Sequence, residues 1–166
     1  MADIREFTRR WTVRTYEVDE NGHVNNAVYV QWAEHLSAEH AEAMGFGRAW
    51  SIERGGAWLV RRHEVTYHRP ALRGEEVELT VRVLEVKGVR GRRHTWVRRV
   101  ADGTLLAEVA SEWVWVRIAD GRPAAHVAPK STASEIAAAA SEIRSTTGRL
   151  PRFARMSCSV CTFDCG

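Results

Sequence analysis

Cysteine is missing from the body of this 166-residue chain; Cys158, Cys161 and Cys165 all fall in the last nine residues. The body therefore does not depend on disulfides. Long apolar runs are missing too. No stretch approaches the roughly 20 apolar residues that a membrane-spanning helix needs. The opening Met1-Ala-Asp-Ile-Arg-Glu6 carries no apolar segment of the kind a secretory leader has. The expected location is the cytoplasm, with no membrane partner. Net charge is small, 24 basic residues against 21 acidic ones. Lysine is nearly absent, so the basic side is almost all arginine. That balance is too weak to argue for nucleic acid, and it suits a small anionic ligand. Metal-ligand spacing is also wanting. His63, His68 and His94 lie on strand-like runs without it, and His40 reads as a core histidine. The Cys158-x-x-Cys161-x-x-x-Cys165 tail offers three thiolates where a structural zinc takes four ligands. No metal or other cofactor is expected, and the tail reads as loosely ordered with oxidisable thiols.

What is present suits one domain with a real core. The chain is organised around the stretch 16–29, Tyr-Glu-Val-Asp-Glu-Asn-Gly-His-Val-Asn-Asn-Ala-Val-Tyr. An acid, a histidine, three amides and a glycine crowd into that loop. The alternation of Phe7, Arg9, Trp11 and Val13 against Thr8, Arg10, Thr12 and Arg14 predicts a strand entering it. Val30, Ala33, Leu36, His40 and Met44 fall at helical spacing behind it, with Tyr29, Trp32 and Ala43 beside them. No Gly or Pro interrupts this helix over 27–44 until Gly45, and Asn25 or Asn26 would cap its start.

Strands then dominate. Trp58 to Arg69 ends at Pro70, and Val77, Leu79, Val81 and Val83 alternate with polar residues. Lys87 to Gly91 reads as a turn, Arg93 to Val100 as a strand, and Ala101-Asp-Gly-Thr104 as a hairpin. Leu105 to Ile118 is apolar on both faces, as in a covered central strand. Thr132-Ala-Ser-Glu135 reads as a capping box opening a short helix. The expected organisation is a domain over 1–120 and a helical, Cys-containing extension over 121–166. One long helix followed by a meander favours an α+β fold in which a curved antiparallel sheet of about five strands wraps the helix. The outer sheet face, expected to carry Trp and Val, would need covering by a homodimer or homotetramer.

The residues Asp19-Glu-Asn21-Gly22-His23-Val24-Asn25-Asn26-x-x-Tyr29, between a strand and a long helix, resemble the hotdog-fold thioesterases. The likeness is to the group containing 4-hydroxybenzoyl-CoA thioesterase, and in spelling to the plant acyl-ACP thioesterases. It covers about residues 5–118. It implies a hotdog domain that hydrolyses acyl-CoA or acyl-carrier-protein thioesters. The family's acid falls on Asp19, its Asn and His on Asn21 and His23, and the amide that polarises the thioester carbonyl near Asn26. The further catalytic Glu of the plant enzymes falls at Pro70, and Glu64 is no obvious substitute. A scheme centred on Asp19 is therefore the expectation.

Such residues suit thioester hydrolysis. A thiolate leaves readily, since thiols ionise near pH ~8.5. Helix N-terminal amides offer positive potential to an oxyanion. Asp19 would activate water or attack directly. The same residue types also form an Asx-turn and helix cap, and that structural reading stands beside the catalytic one. Tyr29 is set with the substrate-facing residues, although helix packing also accounts for it. Arg61, Arg62, Arg90, Arg92 and Arg93 are the expected grip on coenzyme A phosphates, around the 87–93 turn. The alternatives are a hotdog dehydratase and a non-catalytic hotdog that binds acyl-CoA or serves assembly.

Overall fold

The computed structural model describes residues 5–124, which belong to one compact unit. The expected 132–143 helix and the cysteine tail lie outside the described residues. Five strands form a single antiparallel sheet: β1 Glu6–Thr12, β2 Gly56–Tyr67, β3 Glu76–Lys87, β4 Arg90–Arg99 and β5 Leu105–Arg117. Their spatial order is β1-β3-β4-β5-β2. Helix α1 (Asn26–Ala43) packs on β3, β1 and β5, and the short α2 (Arg48–Glu53) packs on β2. This is the hotdog arrangement, a long helix against a curved sheet.

Helix α1 forms where its signals lie. The Asn25 side chain accepts the Ala27 N–H at 2.9 Å, which caps the start. Gly45 ends it with φ 76, a left-handed conformation that glycine adopts freely. The buried stripe is Val28, Tyr29, Trp32, Ala33, Leu36, Ser37 and His40. It meets Val77, Leu79 and Val81 of β3, Val97 of β4 and Leu106 and Ala107 of β5 in one core. Burying each of the larger side chains contributes roughly 1.5–3 kcal/mol. His40 stacks flat on Phe7 at 5.5 Å, within that core.

The register assigns each side chain to a face. Arg93 of β4 pairs with Ser111 of β5, and Ser111 pairs with His63 of β2. This row lies under α1, where His63 Nδ1 is 2.9 Å from Ser111 Oγ and Nε2 is 3.2 Å from Glu34 Oε1. Next to it the Trp50, Trp58 and Trp115 rings pack edge to face. Gly56 is required there, because any side chain would collide with the Trp115 ring.

The outward face carries Trp96 of β4 and Val114 of β5, in the rows of Thr80 and Arg90, opposite to the buried Val97 and Trp115. Trp113 shares the inner row parity of Ser111 and Trp115, so neither tryptophan faces out. Charged pairs share the outward face with Trp96 and Val114: Arg10 with Glu78, Arg82 with Glu6, and Arg62 with Glu64. What stays open is the long free edge of β2, since β2 closes one side of the sheet.

Candidate active site

The polar loop is fixed at both ends before it reaches the helix. After β1 the chain makes a 3₁₀ turn over Thr15–Glu17. Glu17 is buried, and its Oε1 accepts the Trp32 indole N–H at 2.9 Å. Its Oε2 accepts the Arg14 N–H at 2.7 Å, and its carbonyl accepts the Asn25 N–H at 2.9 Å. One residue thus ties the loop's start, its end and the middle of α1 together. Nothing in the residue pattern singled out Glu17; its partners Arg14 and Trp32 are three and fifteen positions away.

Between those anchors the chain doubles back. Asp19 N–H donates to the His23 carbonyl at 2.8 Å, and Gly22 N–H donates to the Asp19 carbonyl at 3.0 Å. Gly22 makes the reversal with φ 77, in the left-handed region. Asp19 Oδ1 accepts the Asn21 N–H at 2.9 Å and the His23 N–H at 3.4 Å. The Asx-turn is therefore real, and it uses one carboxylate oxygen. The other, Oδ2, has no hydrogen bond among the described residues.

The loop forms one wall of a cleft of about 340 Å³. Asp19, Asn21, His23, Asn26 and Tyr29 all line it, so the fold brings together the residues expected at the reaction centre. The facing wall is Tyr67, His68, Arg69 and Pro70, which follow β2 in sequence. Asp19 is the single carboxylate among the lining residues, with Pro70 opposite. Glu64 is turned away, its carboxylate 2.6 Å from Arg62 on the outward face.

The positive end of α1 opens into this cleft. Of its first amides, Ala27 donates to the Asn25 side chain and Val28 to the Asn25 carbonyl. The Asn26 N–H donates to nothing among the described residues. A free backbone donor at the start of an 18-residue helix carries the helix's positive potential. Tyr29 is buried, and its hydroxyl accepts the Ala71 N–H at 3.2 Å. Both readings of Tyr29 hold: its ring packs in the core while it contributes to the cleft wall. Burial pushes its hydroxyl, and that of Tyr67, above the usual value of 10.0, so both stay protonated at neutral pH.

Tyr67 and His68 were missed from sequence. The signal available was only a polar, aromatic strand end before Pro70. The Tyr67 hydroxyl donates to the Asn26 carbonyl at 2.9 Å. His68 Nε2 lies 3.2 Å from Glu108 Oε2, with His94 Nε2 3.5 Å from the other oxygen. The His68 hydrogen bond, more than any other cause, holds the Glu108 carboxyl below its usual range.

The five arginines expected to act together are divided. Arg61, Arg90 and Arg92 surround a second depression of about 240 Å³, joined by Lys87. None of these four cations has an ion-pair partner among the described residues. Arg62 is held by Glu64 and does not line it. Arg93 lies on the opposite face, because successive strand residues alternate. It donates to the Ser37 carbonyl of α1 at 2.7 Å, and burial lowers its guanidinium to about 10. Of the five, Arg61, Arg90 and Arg92 share this depression with Lys87 of the same 87–93 turn, and with Glu85 and Glu112; Arg62 and Arg93 do not line it.

The loop, the cleft and the helix start all lie within residues 13–139, the stretch that matches the family model of the thioesterase-like superfamily. The chain belongs to that superfamily. Membership supports thioester hydrolysis as the general activity. Among solved structures, an acyl-ACP thioesterase from Bacteroides thetaiotaomicron superposes with a TM-score of 0.69 at 22% identity. The match covers 74% of this chain and 50% of that one, so this superfamily member spans half the length of that protein. A DHNA-CoA thioesterase from Staphylococcus aureus superposes at 0.70 with 17% identity, covering 88% and 97%. A hypothetical protein from Thermus thermophilus does so at 0.65 with 26% identity, covering 82% and 96%. These likenesses support the hotdog fold. No helix among the described residues is long and apolar enough to cross a membrane.

Proposed function

We propose that this superfamily member hydrolyses an acyl thioester, carried by coenzyme A or by acyl carrier protein, to a free acid and a thiol. One observation carries the reading: Asp19, the single carboxylate of the cleft lining and unengaged at Oδ2, shares that lining with Asn26, whose N–H has no partner among the described residues. A base and an oxyanion donor on one cavity are what acyl transfer to water requires.

In this reading Asp19 takes a proton from water as the water oxygen bonds to the thioester carbonyl carbon. The carbonyl oxygen gains negative charge and is met by the Asn26 N–H. The C–S bond then breaks, and the proton on Asp19 passes to the departing thiolate. Direct attack by Asp19 would give a mixed anhydride that water then opens, with the same net balance. Asn21 and His23 serve to orient the water and the substrate. Arg61, Arg90, Arg92 and Lys87 serve as the phosphate grip, since paired exposed arginines elsewhere on the sheet have no charge to spare. A homodimer or homotetramer fits this reading, with a second copy along the free edge of β2. The substrates named are cytoplasmic, and we assign the enzyme there.

The Asx-turn at Asp19 favours a second reading, a hotdog that binds acyl-CoA without turnover. Asp19→Asn separates the two, because the amide oxygen can still accept the Asn21 N–H while the base is gone. Thiol release from a panel of acyl-CoA and acyl-carrier thioesters should fall by about 10²–10⁴ in the variant, the usual worth of a general base. Turnover that survives would put the base elsewhere. A wild type that binds acyl-CoA and releases no thiol would establish the binding protein instead.

A further inference from the structure

We infer that Tyr67 is a positioning residue for the oxyanion donor, acting through its hydroxyl on the Asn26 peptide. The inference rests on the thioesterase reading and adds a residue that neither the loop motif nor the family match assigns. Its starting point is how the free Asn26 N–H is held. That N–H belongs to the peptide joining Asn25 to Asn26. The chain is tied to the facing wall on either side of this peptide. On one side the Val24 N–H donates to the Ala71 carbonyl at 2.9 Å. On the other the Asn26 carbonyl accepts the Tyr67 hydroxyl at 2.9 Å, across 41 positions of sequence. Asn25 itself is held from beneath by the Glu17 carbonyl.

The circuit closes through the two tyrosines. The Ala71 N–H donates to the Tyr29 hydroxyl, and the Tyr29 and Tyr67 rings meet edge to face at 5.4 Å. Segment 67–71 therefore clamps the loop's end at both sides of the free donor. Of the clamp's members only Tyr67 is substantially exposed, at 44%, while Tyr29 and Ala71 are buried in the core. A half-exposed tyrosine whose hydroxyl reaches a helix carbonyl adds little to the core. Its bond uses the second lone pair of a carbonyl that the helix ladder otherwise serves. What it does fix is the tilt of the first helical peptides. An oxyanion donor works only if it is already aimed, since reorienting it during reaction costs the stabilisation it gives.

Tyr67→Phe keeps the ring contact with Tyr29 and removes only the hydroxyl bond. The expected result is a fall in kcat of about tenfold, the rate equivalent of one ordinary hydrogen bond, with KM within about twofold of wild type. The Asn26 and Ala27 backbone amide resonances should shift in the same variant, with the melting temperature nearly unchanged. A merely structural latch would lower the melting temperature and leave kcat alone, and that outcome would overturn the proposal. Unmoved amide resonances would overturn it too. If wild type releases no thiol from any substrate, the thioesterase reading fails and the catalytic role of Tyr67 fails with it. If wild type turns over and Tyr67→Phe matches it in kcat, only the role of Tyr67 is lost.

Discussion

Glu17 shows how a single residue can decide whether the loop is a site. Its buried carboxylate accepts from the Trp32 indole and from the Arg14 backbone, and its carbonyl holds Asn25. Removing the side chain leaves both donors without an acceptor, and each such loss costs roughly 1–3 kcal/mol when buried. Glu17→Ala should therefore lower stability by about 2 kcal/mol, read from the urea midpoint. Thiol release should fall further than the folded fraction does, because the helix start loses its support. A variant of unchanged midpoint would mean that water replaces the carboxylate without loss. Asp19 is divided at the same scale. One oxygen builds the turn and the other has no hydrogen bond among the described residues, so the structural reading of this residue does not compete with the proposed catalytic one.

At the scale of elements, β2 links the site to the surface. Its last residue, Tyr67, stands on the cleft, while its outer edge has no neighbouring strand among the described residues. A 12-residue edge is a ready template for pairing. β1, the other edge, has 7 residues and carries Arg9 and Arg10, so it is the poorer template. Pairing of β2 with a second copy would extend the sheet beside both clefts. Sedimentation equilibrium of the purified chain should give a dimer or a tetramer. A monomer at micromolar concentration would overturn the assembly and leave the cleft as the unit of function. Helix α1 does two jobs in one element. Its buried stripe carries the core, and its first residue, Asn26, whose N–H is unpaired among the described residues, lines the cleft.

At the scale of the described molecule, two depressions stand apart, and the proposed function gives each its own task. The cleft is lined by Asp19 and Asn26, and the outward depression by four cations without ion-pair partners among the described residues, beside Glu85 and Glu112. Remote binding energy of that kind positions a substrate without touching the reacting bond. Arg92→Ala should raise KM for acyl-CoA several-fold with little change in kcat, since uniform binding is what is lost. A truncated thioester lacking the nucleotide should show no such rise. An unchanged KM for acyl-CoA would remove the outward depression from the substrate path. Added salt should weaken the same contact, because exposed charges are screened.

The sequence by itself determined helix α1 and the strands, though not the short helix α2. Helical spacing behind Asn25, alternation in the strands and the Asp-Gly hairpin are local signals, and local backbone chemistry settles them. The strand order could be foreseen only through the resemblance, because strand pairing joins residues tens of positions apart. The loop's membership of a site was legible for the same local reason: Asp19, Asn21, His23 and Asn26 are close in sequence, so one turn brings them together. Tertiary structure alone decided the rest. Tyr67 meets Asn26 across 41 positions, and Glu17 meets Trp32 across a turn and the first part of a helix. Arg92 and Arg93 are neighbours in sequence, yet the pleat sends one to solvent and the other beneath α1. Composition cannot distinguish them, because a side chain's face is set by register, and register is a property of the whole sheet.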